Sequence, residues 1–235
     1  AVVYRGNDQA LSVEDVPAPT PGPRQLLLKV KACGICGSDI HAYQSQFIEP
    51  GTVLGHEFAG EVLAVGEGAS SDWQIGDRVT SLGALVCGSC DACRRDDFMN
   101  CEAPQLTGFF SPGAYAEQVL VSEQLAIRIP KSLSLSHAAL IEPMTVGLQA
   151  FKDAELALGG RVLVIGAGVI GLAVAKWARF FGAADIVVSD LDAERLERAR
   201  VGPASAVIDA SKHQDAVQAF RNLVGAEPDV ILECV

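Results

Sequence analysis

Several short stretches of this chain carry side chains that do chemistry. The first, CGSCDACRRDDFMNC over residues 87–101, sets Cys87, Cys90, Cys93 and Cys101 in a CxxCxxCx7C pattern. Two-residue gaps let neighbouring sulfurs converge at about 2.3 Å from one ion, so the four thiolates can wrap a tetrahedral zinc within a single loop. Such a closed site leaves no coordination position open; it is expected to hold a lobe together and not to react. A second stretch, KACGICGSDIHAY over residues 31–43, offers Cys36 close to Ser38, Asp39 and His41. Twenty residues past Cys36, VLGHEFAG supplies His56 and Glu57, and Glu142 opens a helix in IEPMTVGLQA. A thiolate, an imidazole and a carboxylate from three separated segments, Cys36, His56 and Glu142, would leave a fourth zinc position for water or substrate, as a reactive site requires. An isolated Gly-His-Glu is equally the mark of a satisfied core histidine, and spacing leaves both readings open.

The remaining chemistry-bearing stretch is GAGVIG, with Gly166, Gly168 and Gly171. It follows the apolar strand RVLVI and opens an amphipathic helix, the context that separates a dinucleotide fingerprint from a strand-turn-helix with packing glycines. Gly166 permits the tight turn, Gly168 lets the backbone approach a pyrophosphate, and Gly171 allows close helix-to-strand packing. The first helical residues, Val169 and Ile170, bring unpaired N–H groups to the anion. Asp190 ends IVVSD nineteen residues after Gly171. An acidic group there bonds both ribose hydroxyls and repels a 2′-phosphate, which favours NAD over NADP.

These residues need elements to hold them. A chain of 235 residues with 49% hydrophobic and 20% charged content can build two cores. Up to about residue 150 the pattern has period two: in QLLLKVKAC, Leu28, Val30 and Ala32 share one face and Lys29 and Lys31 the other. EFAGEVLAVG, WQIGDRVTSL and AYAEQVLVS repeat it, so residues 1–150 read as an antiparallel, barrel-like β domain. Residues 151–235 alternate strand and helix, which implies a parallel sheet covered on both faces. In the first of these helices Val169, Ile170, Ala173, Trp177, Phe180 and Phe181 are expected on the buried face, with Gly182 as the stop. Asp192 is expected to cap DAERLERAR, with Glu194 and Arg198 as a supporting pair, and HQDAVQAFRNLV to form a further helix. Near the join, Ser136 can cap a short helix and Pro143 suits the first turn of the next.

Charge and composition exclude other classes. A net charge of −11 with no basic run argues against a nucleic-acid partner. Arg5, Glu14 and Asp15 fall where a signal peptide would need an apolar block, and the apolar run Val162–Ala175 is too short to span a bilayer. Seven cysteines, four within fifteen residues, suit a reducing compartment, so a soluble cytoplasmic protein is expected. Cys33 and Cys234 read as buried structural thiols, and His137 and His213 as surface histidines.

CGICGSDIH, GHEFAG, the cysteine quartet, IEPMTVGLQA and VLVIGAGVIG, in that order, resemble the zinc-dependent medium-chain alcohol and polyol dehydrogenases, in particular their sorbitol, threonine and sugar dehydrogenase branch. The resemblance implies a GroES-like β-barrel domain followed by a Rossmann domain. It implies a reactive zinc on Cys36, His56 and Glu142, with Glu57 either a ligand or just behind the metal, and a second zinc on the quartet. Asp39 then corresponds to the carboxylate that orients the zinc histidine, against its plainer reading as a turn cap. Ser38 and His41 correspond to a proton relay to solvent. Arg195 corresponds to a position beside the adenosine ribose, or else makes a helix-surface ion pair. The implied activity is NAD-dependent oxidation of a secondary alcohol by a homodimer or homotetramer; an L-threonine 3-dehydrogenase-type enzyme and a non-catalytic zinc and nucleotide module are the alternatives. The zinc-free quinone reductases share the fold, and the quartet speaks against them. A dinucleotide sheet of this class has six strands and only four are readable here, so the chain is expected to be the first two thirds of such an enzyme.

Overall fold

A computed structural model describes residues 1–6, 9–45 and 48–235. The chain divides into two compact units, Ala1–Glu142 and Pro143–Val235. The division falls at Glu142 and Pro143, inside the helix that begins at Ile141, whose Ala150 and Phe151 pack on the second core.

The first unit contains β1 (Val2–Val3), β2 (Ser12–Val13), β3 (Gln25–Cys33), α1 (Gly37–Gln44), β4 (Phe58–Val65) and β5 (Arg78–Ser81). It continues with β6 (Ala84–Leu85), α2 (Asp91–Arg94), β7 (Gln105–Leu106), β8 (Gln118–Ser122), β9 (Ala126–Arg128) and α3 (Leu135–Ala138). Five strands form one antiparallel sheet in the order β8-β3-β4-β5-β9. Alternation decides its faces: Lys29 and Lys31 are exposed, while Leu26 and Leu28 bury against Phe58, Val62, Val79, Val119 and Val121. One end of the β3–β4 pair leads into chemistry, since Cys33, which precedes the Cys36 loop, pairs with Phe58, which follows His56 and Glu57. Ser134, not Ser136, caps α3, accepting the N–H of His137. Ser136 lies inside the helix, two residues past the cap position whose side chain can accept a free N–H of the first turn.

The second unit contains most of α4 (Ile141–Asp153), then β10 (Arg161–Ile165), α5 (Val169–Phe180), β11 (Asp185–Asp190), α6 (Ala193–Val201), β12 (Ala206–Asp209), α7 (Ala216–Val224) and β13 (Val230–Glu233). The four strands are parallel in the order β12-β11-β10-β13. Successive residues of β10 feed opposite cores: Val162 and Val164 pack with Val174, Ala178 and Ala199, and Leu163 packs with Ile208, Ala219 and Phe220. Helices thus cover both faces, as a parallel sheet demands. Asp192 caps α6 through the N–H groups of Glu194 and Arg195, and Arg198 stands 3.8 Å from Glu194, both as expected. The last helix starts later than its apolar pattern suggested, because Asp215 takes the cap.

The buried face of α5 differs from expectation. Gly171, Ala173, Val174, Ala175 and Ala178 are buried, whereas Val169, Phe180 and Phe181 are exposed. The helix lies so close to the sheet that only small side chains fit between them: a Cβ on Gly171 would sit 1.8 Å from the carbonyl oxygen of Gly166. The aromatics instead tie α5 to α4, with Phe181 stacked on Phe151 at 5.4 Å and the Trp177 indole N–H donated to the carbonyl of Met144 at 2.8 Å.

Candidate metal centres and dinucleotide site

The quartet forms one knot: the sulfurs of Cys87, Cys90, Cys93 and Cys101 all lie within 4.8 Å of one another. The Cys87 and Cys93 sulfurs are 3.9 Å apart. Sulfurs held about 2.3 Å from a common tetrahedral ion would stand about 3.8 Å apart, so the spacing fits zinc. Backbone N–H groups of Cys90, Cys93 and Cys87 donate to the sulfurs of Cys87, Cys90 and Cys101, each at 3.4 Å. Donation from Ser89 and Cys90 brings the Cys87 thiol down to about 6, while burial and neighbouring thiols push Cys93 up to about 12. Four sulfurs this close cannot all ionise without a cation among them, and a zinc ion supplies it.

The second donor set gathers Cys36, His56 and Glu57, whose ligand atoms also lie within 4.8 Å of one another. Cys36 ends the β3 loop and precedes α1; His56 and Glu57 precede β4. Gly34 makes the convergence possible, since a Cβ there would lie 2.2 Å from the Glu57 carboxylate. Behind His56 lies Asp39, whose Oδ1 is 3.5 Å from Nδ1. That separation is an ion-pair contact longer than a good hydrogen bond, and Nδ1 has no hydrogen-bond partner among the described residues. Asp39 also accepts the Cys36 N–H at 2.9 Å, the contact of a turn cap, so one carboxylate faces both the turn and the imidazole. The outer nitrogen, Nε2, is 3.5 Å from the Ser38 hydroxyl. His41 is exposed three residues on in α1, on the face of Ser38.

The resemblance implied Glu142 as the third ligand and left Glu57 undecided. In the structure Glu57 is inside the compact set and Glu142 outside it, although Glu142 is close enough to feel the charges of His56, Glu57 and Asp39. Burial raises the pKa of Glu142, and Glu57 and Asp39 add to the rise while His56 opposes it. Glu57 is raised by burial as well, with Cys36 and His56 opposing and Asp39 reinforcing. Burial pulls His56 down, yet Asp39 and Cys36 outweigh it and hold the imidazole at about 9. Carboxylates crowded beside a thiol and an imidazole, half out of water, are a donor set that a divalent cation satisfies.

Two contacts here were missed from sequence. The Phe109 ring lies 5.5 Å from the His56 ring, and the Tyr115 hydroxyl donates to Asp39 Oδ2 at 2.9 Å. The alternation of AYAEQVLVS was a signal that Tyr115 points to one side, but not to which partner.

In the second unit a cavity of about 600 Å³ is lined by Gly166, Gly168, Asp190, Arg195 and Cys234. Gly166 has φ +100°, a conformation that glycine tolerates, and a Cβ there would meet the Cys234 carbonyl at 2.7 Å. Gly168 is different: its φ of −70° suits any residue, and a Cβ would meet nothing within 4 Å. Neither strain nor crowding calls for glycine at this N-cap, and the open surface it leaves at the start of α5 fits the close approach of a phosphate. Asp190 accepts the N–H groups of Ala167 at 2.7 Å and Asp192 at 2.8 Å, and the Arg195 guanidinium is 4.0 Å away. Cys33 ends β3 and Cys234 follows β13, both half-buried; burial pushes Cys33 up to about 12 and raises Cys234. His137 and His213 are exposed. No helix among the described residues is long and apolar enough to cross a membrane.

Known proteins match the chain along both units. A family profile described as alcohol dehydrogenase GroES-like domain matches residues 22–131, and one described as zinc-binding dehydrogenase matches residues 169–235. Sorbitol dehydrogenase of Bacillus subtilis strain 168 is 35% identical over 225 residues, which cover 92% of this chain and 63% of that protein. L-threonine 3-dehydrogenase of Francisella philomiragia is 38% identical over 211 residues, covering 88% of this chain and 60% of its own length. The chain thus spans less than two thirds of the length of these curated relatives. Among solved structures, a protein described as a zinc-binding dehydrogenase from Sinorhizobium meliloti 1021, bound to NADP, superposes with a TM-score of 0.90 at 36% identity, covering 100% of this chain and 69% of that one.

Proposed function

The chain belongs to the zinc-dependent medium-chain dehydrogenases, with a GroES-like and a Rossmann-type domain, and from that premise we propose that it takes part in oxidising a secondary alcohol of a polyol, a sugar derivative or a hydroxy amino acid to the ketone, with NAD as hydride acceptor. The observation that carries the reading is the convergence of Cys36, His56 and Glu57, with Asp39 behind the histidine. Cys36, His56 and Glu57 would hold the reactive zinc, with Glu142 as a second carboxylate within electrostatic reach. Bound zinc supplies Lewis acidity that makes an alcohol O–H acidic, and bound nicotinamide accepts the hydride.

The protein's own groups do the rest. Asp39 holds the imidazole by its Nδ1 side and leaves Nε2 free to ligate. Ser38, beside Nε2, takes the proton of the substrate hydroxyl, and exposed His41 passes it to solvent. The backbone at Gly168 to Ile170 receives the pyrophosphate, and Asp190 exchanges its contacts with the turn for the ribose hydroxyls. A second reading, use of NADP, is favoured by Arg195 at 4.0 Å from Asp190 and by the NADP bound to the Sinorhizobium relative. The quartet zinc serves stability. Assay of the zinc-loaded, full-length protein against sorbitol, threonine, galactitol and aldonic acids tests the proposal. NADH formation with two zinc ions per subunit supports it; one zinc and no turnover would point to a non-catalytic module.

A further inference from the structure

Asp39 is 2% exposed, and a buried carboxylate must be told which way to face. Its Oδ1 looks toward His56 Nδ1 at 3.5 Å and accepts the Gly55 N–H at 3.3 Å. Its Oδ2 accepts two donors, the Cys36 N–H and the Tyr115 hydroxyl, both at 2.9 Å. Those two bonds fix the rotation of the carboxylate, and that rotation aims Oδ1 at the imidazole.

Tyr115 is itself rigidly placed. The segment 113–115 is bonded along 53–55, the residues that lead into His56: Gly113 N–H to Val53, Ala114 N–H to Gly55 and Tyr115 N–H to Leu54, at 2.7, 2.8 and 2.9 Å. The approach is close enough that a Cβ on Gly113 would stand 2.3 Å from the Leu54 carbonyl oxygen. The Tyr115 ring lies over Gly55, where a Cβ would be 2.5 Å from ring carbon Cδ1. Ring and backbone therefore set the hydroxyl relative to His56 to within the play of one side-chain torsion.

We propose that Tyr115 is a positioning residue for the Cys36–His56–Glu57 metal site, acting through Asp39: its phenol O–H locks the carboxylate that holds His56 in its ligating orientation. The inference rests on the metal-site reading above. Tyr115→Phe keeps the ring over Gly55 and removes only the donor, so the fold is retained. Removing a group that orients a metal ligand costs about 10–100-fold in metal affinity, and a group one bond further out costs less. The expected result is about 3–10-fold faster loss of one zinc to a chelator, a changed visible spectrum when cobalt replaces that zinc, and a lower kcat at unchanged KM. The quartet zinc should leave at the parent rate.

Asp39→Asn, measured in parallel, separates the possible failures. If Asp39→Asn alters metal loss and the cobalt spectrum but Tyr115→Phe alters neither, the role of Tyr115 is overturned and the metal site stands. If Tyr115→Phe acts and Asp39→Asn does not, the action does not pass through Asp39 and the proposal falls. If neither acts, the metal-site reading fails with it. Faster loss of both zinc ions in Tyr115→Phe would mean a general packing role and would also overturn it.

Discussion

The three fingerprint glycines share a residue type and differ in what they answer to. Gly171→Ala places a methyl 1.8 Å from the Gly166 carbonyl oxygen and should destabilise the second unit, seen as a lower melting temperature without any ligand. Gly168→Ala meets nothing and should leave melting unchanged while weakening NAD binding by about tenfold or more, measured by titration calorimetry. Asp190→Ser should raise the affinity for NADP relative to NAD by about tenfold, since it removes a negative charge facing the 2′-phosphate; an unchanged ratio would show that Arg195 already decides the matter. At this scale the sequence was most readable where spacing is short. The quartet sits in one loop, and its thiols could only meet one another. Cys36 and His56 were legible as candidates because each sits in a polar, glycine-flanked stretch, but their meeting depends on how β3 pairs with β4. That Glu57, and not Glu142, joins the compact donor set depends on Gly34, whose missing side chain makes room for a carboxylate. Tyr115 was illegible for the same reason: its partner is set by a backbone alongside 53–55 that no local pattern encodes.

Elements were read from period and caps, and those signals worked where one force dominates. The period-two run of QLLLKVKAC became β3 with both lysines in water, and Asp192 capped α6, because alternation and capping are local. The face of α5 was not local. Its aromatics are the most hydrophobic residues, yet the sheet accepts only glycine, alanine and valine at that distance, so volume overruled hydrophobicity. The same scale carries two predictions. Asp215→Ala removes the cap of α7 and should cost about 1 kcal/mol in denaturant unfolding. Cys93→Ser opens the quartet, whose proposed zinc would hold the segment between β6 and β7; the melting temperature should fall by roughly 10 °C while a zinc at Cys36 stays bound. Loss of both ions together would contradict separate structural and reactive sites.

For the whole molecule, two compact units carry two kinds of chemistry: donor atoms for metal in Ala1–Glu142 and a phosphate-ready turn in Pro143–Val235. The strand order β12-β11-β10-β13 is the beginning of the dinucleotide-binding order, and helices on both faces complete its packing. Central to all of this is the proposed reactive zinc at Cys36 and His56. Anomalous scattering at the zinc edge, from crystals of the full-length, zinc-loaded protein, tests it most directly. Two peaks are predicted, one among the four cysteine sulfurs and one at about 2.3 Å from Cys36 Sγ and about 2.0–2.1 Å from His56 Nε2, the second absent in Cys36→Ser. A single peak at the quartet, or a second one with Cys36 and His56 turned away from it, would contradict the account.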